Sequence, residues 1–271
     1  MLKAYKYRIY PDKTQRIQIA KTFGCCRFVY NRMLAYRKDA YEKEKKYVSR
    51  TDCNNYCNRK LKKEYDWLKE VDKFALTNAV YHMDAAYQKF FREHAGYPKF
   101  KRKHDSHKSY TTNFTNGNIA ADFVHGKIKL PKLKAVRAKL HREFDGQIRS
   151  ATVSQVPGGK YYVSILVETE HEELPHTDKN TGLDLGIKDL CITSDGERYE
   201  NPRIMRKYER KLARLQRQLA HKKRGSKNYY KQKRKTALCH EKIKNARKDY
   251  LHKVSHKIIS GNQVIVSENL Q

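Results

Sequence analysis

The chain has 271 residues, with 60 Lys and Arg against 29 Asp and Glu and a formal net charge of +31. Such a field is maintained where a polyanion neutralises it, so nucleic acid is the expected partner and a membrane surface the competing one. The mean hydropathy of −0.96, and the lack of any apolar run near the ~18 residues a spanning helix needs, argue against the membrane. Residues 1–20 hold no unbroken apolar core of a secretory signal, which reads as a cytoplasmic chain. With 38% apolar and 11% aromatic residues the chain can fill real cores, and its length suits about two domains. The six cysteines, at 25, 26, 53, 57, 191 and 239, include no C-x2-C pair. Cys53 and Cys57 face one another across a helical turn, but a structural zinc needs four ligands, so buried thiols in a reducing cytosol are the preferred reading and no zinc site is expected.

In chain order, Lys3, Tyr5, Tyr7 and Ile9 alternate on one face of a strand that ends at Pro11. Asp12 or Thr14 then caps a helix with apolar positions Ile17, Ala20, Phe23, Val29 and Leu34. A polar stretch, Ser49 to Asn58, interrupts the pattern. Leu76, Val80, Met83, Tyr87 and Phe90 restore it at helical spacing, as the core stripe of a helical bundle. Gly96 to Lys103 is basic and aromatic-interleaved, and offers Lys99, Lys101 and Arg102 as phosphate contacts. Tyr97, Phe100 and nearby Tyr110 suit either base stacking or, more often for such spacing, core. Short strands follow at Tyr110–Phe114, Ile119–Val124, Lys127–Leu130, Ala151–Val156 and Tyr161–Glu168, with turns at Asn116-Gly117 and Pro157-Gly158-Gly159. Residues 105–170 therefore suit a small barrel or sandwich, which the first strand can join with the helices as an insertion.

After a polar linker at 171–180, strands are expected at Leu183–Ile187 and Leu190–Thr193, with a turn at Ser194 to Glu197 leading into another. Two helices with apolar stripes Ile204, Tyr208, Leu212, Leu215, Leu219 and Ile243, Ala246, Tyr250, Val254, Ile258 form a hairpin about Gly225-Ser226. Residues 201–260 hold 21 Lys and Arg but three Asp and Glu. A merely soluble helix would intersperse signs, so this hairpin is read as a phosphate-binding element through Arg214, Arg217, Lys222, Lys223, Arg224, Lys231 and Arg234. Two acids stand out because they interrupt apolar strands: Asp184 within Gly182 to Gly186, and Glu268 at the end of Val264 to Ser267. If the strands are neighbours, the carboxylates converge on a site suited to Mg²⁺. Taken alone they equally suit a turn cap and a surface strand end.

The segment Gly182-Leu183-Asp184-Leu185-Gly186-Ile187-Lys188-Asp189-Leu190, followed by Ser194-Asp195-Gly196, resembles the first motif of a RuvC-type nuclease domain, and Val264 to Leu270 resembles the second. With Tyr5 to Pro11, Phe23 to Asn31 and Tyr97 to Lys101, the whole chain resembles the TnpB (OrfB) proteins of bacterial insertion sequences, known as transposases and related to type V CRISPR effectors. The resemblance implies an α+β multidomain fold. A wedge-like β-barrel (1–12 plus 97–172) would carry an inserted helical recognition domain (13–96) and be followed by a partial RuvC/RNase H-like nuclease domain (178–271). It also implies RNA-guided, Mg²⁺-dependent cleavage of DNA, with Asp184 and Glu268 as catalytic metal ligands, and with guide RNA from the element's end and target DNA as partners. Family members continue into a four-cysteine zinc ribbon and a third motif with a further Asp. Neither falls within 1–271, and Asp189, beyond a turn, is a poor substitute, so the expectation is weak or absent cleavage. The alternative is a non-catalytic RNA- or DNA-binding protein or regulator.

Overall fold

The computed structural model describes residues 1–105, 107–170 and 175–268. The linker residues 171–174 and the motif residues Asn269 and Leu270 lie outside that set. The chain forms two compact units, Met1–Glu170 and His171–Gln271. Among the described residues no helix is long and apolar enough to cross a membrane.

In the first unit, strand β1 (Leu2–Ile9) turns Tyr7 and Ile9 into the core and pairs antiparallel along its whole length with β7 (Tyr161–Glu168), from Leu2 opposite Glu168 to Ile9 opposite Tyr161. Its far edge meets β5 (Lys134–Lys139). With β2 (Lys108–Asn113), β3 (Ala120–Asp122), β4 (Lys127–Leu130) and β6 (Gln147–Gln155), the seven-stranded order is β2-β6-β7-β1-β5-β4-β3. The expectation was a barrel; among the described residues the ladders form a row with β2 and β3 at its ends, and no ladder joins those two. The strand expected at Ile119–Val124 covers only 120–122, and Val124 is exposed. Strand β5 had no sequence counterpart, because only Val136 and Ala138 face inward between basic neighbours.

Gly146, just before β6, has φ +117, and a Cβ there would stand 2.2 Å from the Glu168 carbonyl oxygen. Gly146→Ala is therefore expected to destabilise this unit by more than about 1 kcal/mol. Urea denaturation followed by Trp67 fluorescence checks this, and an unchanged midpoint would contradict it.

Helix α1 (Lys13–Glu44) starts at a reciprocal capping box between Asp12 and Gln15. The Gln15 amide also donates to the Leu133 and Ala135 carbonyls, tying the helix start to the sheet. Its buried face runs through Ile19, Phe23, Cys26, Tyr30 and Met33, whereas Ile17 and Ala20, read as part of the stripe, face solvent. The polar stretch at 49–58 is itself helical. Ser49 and Asp52 form a second capping box that opens α2 (Arg50–Tyr56), followed by a π turn (Cys57–Leu61) and α3 (Lys62–Glu64). After a 3-10 turn (Asp66–Glu70), α4 (Lys73–Arg92) buries Leu76, Val80, Met83 and Tyr87 as their spacing predicts. Its cap, Asp72, is buried and accepts from the Ala75 amide and the Thr112 hydroxyl, joining helix to sheet. Helices and sheet share one hydrophobic core.

In the second unit, β8 (Asn180–Leu185), β9 (Asp189–Thr193) and β10 (Arg198–Glu200) form an antiparallel meander. A hairpin of α5 (Ile204–Ala220) and α6 (Lys227–Gly261) then leads to β11 (Val264–Ser267), parallel to β8. A parallel neighbour needs such a crossover, and α6 supplies it. The sheet order is β10-β9-β8-β11. Near its end α6 packs Val254 and Ile258 on Cys191, with Leu183 and Ile265 beside them; further back, Cys239 and Ile243 meet Leu212 and Leu215 of α5. All six cysteines are free and buried. Burial pushes the Cys25 thiol up to about 11 and Cys26 further, which keeps both as unreactive thiols.

Candidate functional site: a carboxylate pair and a basic hairpin

The β8/β11 ladder runs from Val264 opposite Asn180 to Ser267 opposite Leu183, so Asp184 and Glu268 are each the residue next after its last pair. Alternation explains why both acids are tolerated. Leu183, Cys191 and Ile265 pack against α6, while Asp184, paired opposite Ile192, belongs to the other face together with exposed Val264 and Val266. Asp184 and Glu268 are both exposed. The strong desolvation that an acid within an apolar strand suggested is therefore not incurred. Neither carboxylate has a hydrogen-bond or ion-pair partner among the described residues. The Ser194 hydroxyl accepts from the Gly182 amide at 3.1 Å, and the Ser194 amide donates to the Gly182 carbonyl at 2.9 Å, so the Ser194-Asp195-Gly196 turn braces β8 two residues before Asp184. Asp189 opens β9 opposite Glu200, away from the Asp184 register. Among the described residues no three His, Cys, Asp or Glu side chains converge.

Hairpin α5/α6 turns through Gly225 at φ +84, and the Ser226 hydroxyl accepts from the Tyr229 amide to cap α6. Its apolar seam is narrow, and buried Gln232 spans it, donating to the Leu215 carbonyl and to Gln218 Oε1. Arg214, Arg217, Lys222, Lys223, Arg224, Lys231 and Arg234 are all exposed. At 1.5 Å per residue, the stretch from Val254 on the sheet to Lys227 near the tip is about 40 Å, the length of roughly a dozen base pairs. Replacing Lys222, Lys223 and Arg224 together by Gln is expected to weaken nucleic-acid binding for every sequence alike. The slope of log K against log salt should fall by up to ~2–3, the counterions of three phosphates. Fluorescence anisotropy from 50 to 300 mM salt reads it, and an unchanged slope places the contacts elsewhere.

In the first unit, Lys99 and Arg102 are exposed. Lys101 is exposed too, but it also makes contacts within the protein. Its ammonium lies 4.2 Å from the Tyr30 ring centroid, its backbone is clamped by both ends of the Asn31 amide, and desolvation lowers its pKa from the ordinary lysine value. Tyr110 is buried edge-on against Phe23 and belongs to the core. Tyr97 and Phe100 are exposed, with the Tyr97 hydroxyl 2.8 Å from that of Tyr87. The sequence reading passed over Arg203, Arg206 and Arg247, which line one cavity with Ile187 and Tyr250. Arg203 and Arg206 stand three residues apart at the start of α5, and Arg247 joins them from α6, some forty residues on.

Residues 164–271 match a family described as "Probable transposase", of the OrfB_IS605 type, and residues 1–46 match its associated "Helix-turn-helix domain". In the structure residues 1–46 are β1 and the single helix α1. A protein of Escherichia coli (strain K12) named "Putative RNA-guided DNA endonuclease InsQ" is 35% identical over 272 residues, covering 100% of this chain and 66% of the relative. A Streptomyces pristinaespiralis protein named "Putative RNA-guided DNA endonuclease" is 33% identical over 272 residues, covering 99% and 67%. The chain thus spans about two thirds of the length of these relatives. A chain in a solved structure titled "Cryo-EM structure of CRISPR-Cas12f Ternary Complex" aligns over 95% of this chain and 63% of its own length, at 14% identity and a TM-score of 0.40.

Proposed function

We propose, from the premise that this chain belongs to the OrfB (TnpB) family of transposon-encoded transposases, that it binds a guide-type RNA and its DNA target and contributes Asp184 and Glu268 to Mg²⁺-dependent phosphodiester hydrolysis of that DNA. The observation that supports the reading is the parallel register of β8 and β11, whose last pair, Ser267 with Leu183, stands one residue before each acid. A meander with a fourth strand added parallel to its first also supports a RuvC-like, ribonuclease-H-type sheet for 178–271. The antiparallel sheet from 1–12 and 97–172, which the helices of 13–96 leave and rejoin, supports the wedge and recognition reading.

Two exposed carboxylates without partners among the described residues fit a hard divalent cation, which accepts one or two carboxylates and completes its shell with water and phosphate oxygens. Asp184 and Glu268 would hold it. Bound there, the ion supplies positive charge to the phosphodiester oxygens and lowers the pKa of water. The remaining work falls to the chain's own residues: α5/α6 neutralises backbone phosphates along its length and so fixes the register of the strand, while base pairing with the guide selects the sequence. The cytoplasm, where transcript and genome meet, is the compartment this reading requires.

The test combines the 271-residue chain with guide-type RNA and target DNA, with and without Mg²⁺, reading binding by gel shift and cutting on denaturing gels. Guide-dependent binding without Mg²⁺ is expected, with only weak Mg²⁺-dependent cutting by these 271 residues, which Asp184→Ala abolishes. Cutting that survives Asp184→Ala refutes the assignment. Guide-dependent binding with no Mg²⁺-dependent cutting returns the chain to the binding-only alternative.

A further inference from the structure

We propose that the cavity between the β8–β9 loop, the β10–α5 connection and helix α6 is a nucleotide seat: it takes one phosphodiester and the adjoining base of the DNA strand presented to Asp184 and Glu268. This rests on the reading of those acids given above. The cavity, about 450 Å³, is lined by Arg203, Arg206 and Arg247 together with Ile187, Met205 and Tyr250. None of the three guanidiniums has a carboxylate partner among the described residues. Three like charges around one cavity repel unless an anion sits among them, and guanidinium forks match phosphate oxygens in pairs. The apolar side is as telling. Ile187 is 93% exposed and Met205 48% exposed, and with the Tyr250 ring they form a wall of the kind a base covers. Cationic forks and an apolar wall facing one volume are the two halves of nucleotide recognition.

The cavity is braced. The Asn201 amide donates to the Ile187 carbonyl at 3.1 Å, and its oxygen accepts from the Arg203 amide at 3.1 Å, linking the two loops. The Tyr250 hydroxyl donates to the Glu200 carbonyl, which ties α6 to the same place. Its position also fits. Ile187 follows the C-terminal end of β8, three residues and about 10 Å of extended chain from Asp184. Asn201 to Arg203 follow β10 at that same sheet end, since Glu200 pairs with Asp189. The cavity and Asp184 thus share one end of the sheet, with α6 on the face opposite the acid, so a strand seated in the cavity reaches the carboxylates by crossing that end.

The experiment is photo-crosslinking of the full chain to single-stranded DNA, and separately to RNA of matching sequence, each carrying 5-iodouracil, in EDTA and at matched occupancy. Cross-linked peptides are mapped by mass spectrometry. The DNA cross-link is expected at Met205 or Tyr250, and its yield should fall about tenfold or more in R203Q/R206Q/R247Q. K127Q/K129Q, at exposed positions on β4, should keep it at matched occupancy. Circular dichroism confirms folding of the variants, and Arg206→Gln alone, expected to lose several-fold, serves if the triple variant is unfolded. An unchanged yield in the triple variant, cross-links only outside the cavity, or RNA cross-linking there in preference to DNA each overturn the proposal. Because EDTA removes any contribution of a divalent ion, a cavity cross-link that persists while Asp184→Ala leaves cutting intact would fail the catalytic assignment and not the seat.

Discussion

Asp84→Ala is expected to destabilise the first unit by about 3–5 kcal/mol, the cost of stranding a buried charge. Arg37 on α1 reaches Asp84 on α4 at 2.6 Å, with side-chain exposures of only 9% and 11%. Gln88 donates to the other Asp84 oxygen at 3.0 Å, and the Tyr87 ring lies beneath the guanidinium at 5.2 Å. Arg37 Nε is already buried without a hydrogen-bond partner, so the guanidinium has little left to replace the lost carboxylate. The same argument predicts that Arg37→Met with Asp84→Leu, which removes both charges and leaves an apolar pair in their place, stays within roughly 1–2 kcal/mol of the parent. Urea denaturation followed at the single tryptophan, Trp67, measures both, because that residue packs on Phe28 and Tyr65 inside this unit. A loss below about 1 kcal/mol for Asp84→Ala would mean that water reaches the pair and that the helix contact rests on packing alone.

What could be read beforehand follows from the periods that burial imposes. The stripe from Leu76 to Tyr87 was legible because each member is apolar and its gaps match one helix face. The stripe of α1 was legible at Phe23, Val29 and Leu34, which are buried, and wrong only in its first turns, because Ile17 and Ile19 are equivalent to the eye and the Gln15 contacts with the sheet turn Ile19 inward. Helix α2 was hidden by its polarity: its existence rests on the Ser49–Asp52 box and on buried Cys53, and not on an apolar stripe. Strand β5 was hidden by Lys134, Arg137 and Lys139, which the solvent-exposed face of the sheet permits. For the site, Asp184 and Glu268 were conspicuous because each is the lone acid of an apolar run. Their adjacency depends on a crossover of some seventy residues, which local pattern does not encode. The convergence of Arg247 on Arg203 and Arg206 lay beyond sequence reasoning for the same reason, as did the stacking of Lys101, which is exposed, on the Tyr30 ring.

The adjacency of Asp184 and Glu268 also predicts how their removal combines. If the two carboxylates hold one divalent ion, they act as a unit, and deleting either removes most of what both supply. Asp184→Ala and Glu268→Ala are each expected to lower Mg²⁺-dependent cutting on the order of 10²-fold or more, the range for losing one charge-stabilising group at a reacting phosphate. The double variant should fall little further. Binding without Mg²⁺ should move in the opposite direction, since each deletion removes a negative charge from a surface that receives phosphates: the affinity for target DNA in EDTA should stay equal or rise slightly. Titration of Mn²⁺, a paramagnetic stand-in for Mg²⁺, separates holding the ion from using it, and should show weaker binding in both single variants. Losses that multiply in the double variant would mean independent roles, one acid at the ion and the other elsewhere on the strand. Weakened DNA binding in EDTA would mean that the carboxylates shape the basic surface and not a metal site.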